Sequence, residues 1–248
     1  MLIDTHAHLN FKAFHSDWKR VADNCLNQGV WIINVGSQHA TSQKAVEIAQ
    51  NYENGVFAAI GLHPIHAEEG FDAEKYRELA QSEKVVAIGE IGLDCFKDYG
   101  KFMDKQREVL TAQINLAVSL HLPVIFHCRM AHNELIEIIK GNNCPPGVIH
   151  CFTGNWSQAE KYLDMGFFLG INGIMQKLDL KEVIEKMPLN RLLVETDSPY
   201  LVPSQAKVER NEPGFVKHIV QDIAEIKGIS FEEVAETTTQ NAQKLFGI

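Results

Sequence analysis

Eight short, nearly continuous apolar runs rich in β-branched residues are spread along the chain, with segments of helical spacing between them. They are LIDTH from residue 2, WIINVG from 31, VFAAIG from 56, VVAIGE from 85, PVIFHC from 123, GVIHCF from 147, FFLGI from 167 and LLVETD from 192. Runs without polar alternation read as strands buried on both faces, as in a parallel sheet covered by helices. The segment after Lys101 is the clearest helix, with Leu110, Ile114, Ala117 and Leu120 on one face and Lys105, Glu108 and Gln113 among its polar remainder. Beyond the eighth run, Ile219, Ile223 and Ile226 mark a helix that stops at Gly228, and Ser230 with Glu233 starts another in a capping-box pattern. The alternation allots about 31 residues to each unit, the size of a βα repeat. It predicts an α/β fold, a closed (β/α)8 TIM-type barrel, as a single domain over residues 1–248. No linker rich in Pro, Gly or Ser divides the chain. A doubly wound open sheet uses the same alternation, and the polar residues separate the two.

His6 and His8 end the first run, Glu90 the fourth, His127 the fifth, His150 the sixth and Asp197 the eighth. In a barrel, the C-terminal strand ends meet at one mouth, so these six residues face a shared centre. In an open sheet, strands one and eight do not generally meet. Strand alternation also predicts that Asp4, His6 and His8 project to one side, with Asp4 orienting an imidazole from behind. Taken singly, each histidine reads as a satisfied core or rim group. Together, four imidazoles and two carboxylates suit two divalent metal ions. His6, His8 and Asp197 are expected to hold one, His127 and His150 the other, and Glu90 to bridge them, with positions left open for water and substrate. Mixed nitrogen and oxygen ligands suit Mg, Mn, Zn and Ni to different degrees.

Composition narrows the partners. With 45% hydrophobic and 22% charged residues the chain can bury a sizeable core, and disorder is excluded. No run approaches 18 apolar residues and no basic region precedes an apolar one at the start, so a cytoplasmic protein with no membrane partner is expected. Cys25, Cys95, Cys128, Cys144 and Cys151 are odd in number and lack C-x-x-C spacing, which points to reduced thiols. The net charge of -9 argues against an extended basic surface for duplex DNA. A polyanionic substrate needs local attraction, which bound divalent cations supply.

Several motifs carry a family resemblance: DTHAH, GLHP at 61–64, GEIGLD at 89–94, PVIFHCR at 123–129, IHCFTG at 149–154, ETDSPYL at 195–201, RNEP at 210–213 and the terminal NAQKLFG. Over nearly the whole chain, and in order, the sequence resembles the TatD family of metal-dependent deoxyribonucleases in the amidohydrolase superfamily. The resemblance implies the (β/α)8 fold, the same two-metal assignment and phosphodiester hydrolysis on DNA. Ala7 and Asn10 stand where members often carry Cys and Asp, and Cys95 where an aromatic is common. None of the three is a proposed ligand.

These readings together predict hydrolysis by metal-activated water, with single-stranded DNA the expected substrate and 3'-5' exonuclease action the expected type, although no residue of the sequence encodes the polarity. Asp197 is the expected base, a role the superfamily resemblance also suggests, with Glu90 serving both metals. His63 and Arg129 are placed to contact phosphate oxygens, or to cap a loop carbonyl at the rim. Arg210, in RNEP, is a further substrate contact or a salt-bridge partner of Glu212. No lysine ends the fourth run to be carbamylated as a metal bridge, which favours the nuclease-like branch. Two other functions use the same residues: ester or amide hydrolysis, such as aminoacyl-tRNA deacylation, and a metal-binding scaffold without catalysis. Oligomeric state is not encoded in any of these features.

Overall fold

The computed structural model describes residues 1–248. Eight strands form one sheet in chain order, all neighbours parallel: β1 (Leu2–Ala7), β2 (Val30–Val35), β3 (Val56–Ile60), β4 (Val85–Asp94), β5 (Val124–Arg129), β6 (Gly147–Ile149), β7 (Phe168–Ile171) and β8 (Leu192–Val194). Around them lie α1 (Trp18–Asn27), α2 (His39–Ala49), α3 (Ala73–Leu79), α4 (Met103–Leu120), α5 (His132–Gly141), α6 (Trp156–Asp164), α7 (Lys181–Lys186), α8 (Val216–Lys227) and α9 (Phe231–Phe246). This is the expected (β/α)8 barrel.

The barrel closes just past β8. The His8 N–H donates to Ser198 O and the Asp197 N–H to His6 O, both at 2.8 Å, around an Ala7–Ser198 bridge. Side chains reinforce this seam, because fully buried Asp4 accepts from the Thr196 N–H at 2.9 Å and the Thr196 hydroxyl at 2.6 Å. Asp4 also accepts from the His6 backbone N–H, and its oxygens reach no imidazole. The alternation that would align it with His6 and His8 is interrupted by a register shift between Asp4 and Ala7. Asp4 therefore closes the barrel instead of orienting a ligand.

The core has two layers. The larger lies between strands and helices, and a smaller one fills the barrel axis with Ile3, Ile33, Val35, Ala59, Ile125, Val148 and Leu193. Leu245 and Phe246 at the end of α9 pack into that inner layer, so the helix covers the floor opposite the mouth. Gly228 takes the left-handed conformation that ends α8, with φ 66°, and Ser230 caps α9 by accepting the Glu233 N–H.

Two expectations change, one in a strand and one in a helix. β4 does not end at Glu90 but runs on to Asp94, with a shift in its pairing to β5 between Gly89 and Ile91. Such a shift re-aims side chains locally, and it leaves Glu90 mid-strand in the barrel interior. In α4, Gln113 is buried rather than on the polar face, because its amide accepts from the Leu62 N–H at 2.7 Å and donates to Leu62 O at 3.0 Å. A primary amide satisfies both groups of a peptide, so it replaces a missing strand neighbour.

Candidate active site

Hydrogen bonds at the far side of each ring decide how the histidines present themselves. His8 donates its Nδ1–H to Val35 O at 2.8 Å, which leaves a lone pair on Nε2. That lone pair faces Asp197 Oδ1 at 3.3 Å and His6 Nε2 at 3.3 Å. Asn10 donates to the same Val35 carbonyl at 3.0 Å and to Thr41 O at 2.9 Å, work an amide can do and a carboxylate cannot. Phe11 stacks on the His8 ring with centroids 4.2 Å apart. His6 is fully buried, stacks on His150 at 3.8 Å and leaves its Nδ1 without a partner. Burial, helped by His150, lowers its pKa and keeps the imidazole neutral and available as a ligand.

Glu90 joins this group to a second one. Its Oε2 lies 3.5 Å from His6 Nε2, while its Oε1 lies 2.7 Å from His127 Nδ1, 2.7 Å from His150 Nε2 and 3.4 Å from His63 Nε2. Burial raises the Glu90 carboxyl, but His150, His63 and His6 outweigh it and hold the group well below the usual carboxylate range. Opposing burial, Glu90 and Glu195 raise His150 well above the ordinary imidazole value. His150 turns Nδ1 to Glu195 Oε1 at 3.3 Å, so its Nε2 lone pair meets a Glu90 oxygen. Acceptors that face acceptors in a dry interior require a cation between them, a proton or a metal ion. The donor set, imidazole nitrogens with carboxylate oxygens, fits a divalent ion in each group.

His63 differs from the others. Its Nδ1 accepts the Ile65 N–H at 3.2 Å, so Nε2 carries the hydrogen and points a donor at Glu90. Burial lowers its pKa to about 4, and the ring is a neutral donor near pH 7. Asp197, in the left-handed conformation at φ 56°, is pinned by its own N–H to His6 O. Burial raises its carboxyl, but the surrounding His8, His150 and His6 rings outweigh it and hold the group below the ordinary value, so it is ionised at neutral pH. The mouth encloses about 510 Å³, lined among others by His8, His63, Glu90, Asp197 and Arg129.

Residues 3–247 match the TatD related DNase family. The chain belongs to the TatD family. It is 41% identical to an uncharacterized metal-dependent hydrolase, YabD, of Bacillus subtilis, with all of both chains covered. It is 35% identical, again over both full lengths, to the 3'-5' ssDNA/RNA exonuclease TatD of Erwinia amylovora. Among solved structures, the TatD homologue YJJV of Escherichia coli superposes with a TM-score of 0.92 at 31% identity, covering 100% of this chain and 98% of that one. This TatD-family protein is accordingly a metal-dependent hydrolase. None of its helices is long and apolar enough to cross a membrane.

The barrel brings together all six residues singled out as ligands, with His63 and Arg129 beside them. Arg210 lies elsewhere: it forms a double ion pair with Asp17 at 2.9 and 2.8 Å, another with Glu212 at 2.8 Å, and covers Phe14. Its guanidinium is thus committed to fastening the RNEP segment onto the start of α1. Reasoning from sequence missed the supporting carboxylates of the TatD site. Asp94 accepts from His127 Nε2 at 3.2 Å and from the Phe96 N–H at 2.7 Å. Glu195 holds His150, the Cys151 N–H at 2.7 Å and the Asn172 amide at 2.9 Å. Both were visible as the acids of GEIGLD and ETDSPYL, near the ends of apolar runs as the ligands are. No spacing rule separates a ligand from the group that orients it.

Proposed function

We propose that the protein is a 3'-5' exonuclease of single-stranded nucleic acid that uses two divalent metal ions, with His6, His8 and Asp197 at one, His127 and His150 at the other, and Glu90 between. The observation that carries this reading is the split of the Glu90 carboxylate, one oxygen toward His6 and the other toward His127 and His150. When bound, such a pair of ions lowers the pKa of water and offsets charge on a reacting phosphate. The remaining work belongs to the side chains. Ionised Asp197, at the edge of the cavity, accepts the proton of the attacking water. His63 donates from Nε2 to a phosphate oxygen, and Arg129 offers a two-pronged donor to the same group. Asp94 and Glu195 hold the His127 and His150 rings in the orientation their ligand nitrogens need. The net charge of -9 and the names of the relatives both favour a single-stranded substrate end over a duplex gripped along its length.

The test is hydrolysis by chelated and metal-reconstituted protein, with metal analysis, on single-stranded DNA, duplex DNA, RNA and an aminoacyl ester. Expected are loss of activity on chelation, recovery with a divalent ion, and a preference for single-stranded nucleic acid from its 3' end. Full activity at an empty metal site overturns the metal reading, and preferential turnover of the aminoacyl ester overturns the nuclease reading.

A further inference from the structure

Building on the exonuclease reading, we propose that the groove beside the mouth, lined by the segments that follow β4, β5, β6 and β7, seats the nucleotide upstream of the scissile bond, with Arg129 at the junction holding the linking phosphate. The groove encloses about 970 Å³ and shares Arg129, Thr153 and Ile174 with the 510 Å³ cavity, so the two form one trough. A cavity of that size is matched to one small ligand, and the groove provides for a neighbour attached to it.

Charge and apolar exposure along the trough suit an unpaired strand. Of the six arginines, Arg20, Arg77, Arg107 and Arg210 pair with carboxylates and Arg191 donates to Gly166 O, which leaves Arg129 alone without a hydrogen-bonding partner. Its guanidinium lies 3.6 Å from the centroid of the Phe96 ring, which fixes its plane and leaves the N–H groups free. Lys97, also without an ion pair, approaches the same ring at 5.1 Å. A local cationic pair in a molecule of net charge -9 marks where an anion is drawn in. Five of the seven exposed large hydrophobic residues ring this trough: Ile65, Tyr99 and Tyr200 at the cavity, Met130 and Leu178 at the groove. Met130 is 72% exposed and held at φ 57°, a conformation costly for any residue but glycine, with its thioether presented to the open groove. Unpaired bases offer flat apolar faces to such side chains, whereas the bases of a duplex spend those faces on each other.

The experiment compares kcat/KM for a 12-residue oligothymidylate with that for the p-nitrophenyl ester of thymidine monophosphate, which has no upstream nucleotide. The wild type should prefer the oligonucleotide, and Met130→Gly and Leu178→Ala should each lower the ratio about 5- to 10-fold. Met130→Gly also relieves the left-handed strain, so its Tm should not fall, which separates lost substrate contact from lost structure. A ratio unchanged in both variants overturns the groove and leaves the exonuclease reading standing. If the wild-type protein turns over the ester but no oligonucleotide, the exonuclease reading and the groove fall together.

Discussion

Glu90 is the residue on which the two halves of the site depend, because each of its oxygens serves a different set of imidazoles. Glu90→Ala should therefore lower metal stoichiometry at both positions. If Asp197 is the base, as proposed, Asp197→Asn keeps an oxygen for the metal and removes that base, so metal content should be nearly retained while kcat falls by about 10² to 10⁴. Metal analysis beside the rate for each variant checks both, and two retained ions in Glu90→Ala would sink the bridge. Arg210 gives the opposite expectation. Held by Asp17 and Glu212, it should affect stability rather than substrate binding, and Arg210→Ala should lower Tm by about 2–4 °C with KM unaltered. The pH dependence follows from Asp17, whose carboxyl is lowered from 3.8 to about 2, first by the Arg210 hydrogen bond. A depressed folded-state value contributes stability above the unfolded value and loses it as pH falls. The Tm gap between wild type and Arg210→Ala should thus be constant above about pH 5 and narrow between pH 4 and 2. A gap that persists unchanged at pH 2 would assign the loss to packing on Phe14 instead.

Among the elements, β7 carries a constraint out of proportion to its length. A Cβ on Gly170 would lie 2.5 Å from Glu195 Oε2 and 3.1 Å from the His150 Cα, so only glycine leaves room for the carboxylate behind His150. Gly170→Ala should displace Glu195, release the His150 ring and weaken metal affinity about 10- to 100-fold, the range for losing a group that orients a ligand. Titration of the metal-free variant with Mn or Zn reads this directly, and wild-type affinity would show that Glu195 does not position His150. β4 shows the same economy. Gly92, at φ 150°, allows contact so close that a Cβ would meet His127 O at 1.9 Å, and this lets a ten-residue strand carry Glu90 in its middle and Asp94 at its end.

For the molecule as a whole, the mouth concentrates function in a protein whose charge otherwise repels nucleic acid. If attraction is confined to the proposed metal site and the cationic pair Arg129 and Lys97, only two or so phosphates are engaged. For a single strand, each phosphate engaged contributes about -0.7 to the slope of log K against log salt, so a slope of roughly -1 to -2 is expected. Anisotropy of a labelled oligothymidylate across a salt series measures it, and a slope near -5 would reveal an extended basic track that the structure does not contain. The opposite end of the barrel is closed by α9, whose Leu245 and Phe246 reach the inner core. The floor is therefore structural and the mouth chemical, the division usual for this architecture.

The strands, their order and the residues gathered at the mouth were legible in the sequence, because buried parallel strands write themselves as apolar runs and a closed barrel brings strand ends together whatever their separation along the chain. His6 and Asp197, 191 positions apart, are joined by a backbone hydrogen bond at the seam. Ring orientation, in contrast, was decided only by tertiary contacts. Val35 O and Glu195 lie on or just past other strands, and they determine which nitrogen of His8 and His150 carries its hydrogen. The same holds for Asp4, whose charge read as site chemistry until the fold supplied Thr196, and for Arg210, which the sequence left open between substrate and Glu212 until the fold paired it with Glu212 and Asp17. A sequence states which groups are present and on which element. Which partner each polar group takes depends on distances of a few ångströms between segments far apart in the chain, and only the packed barrel sets those.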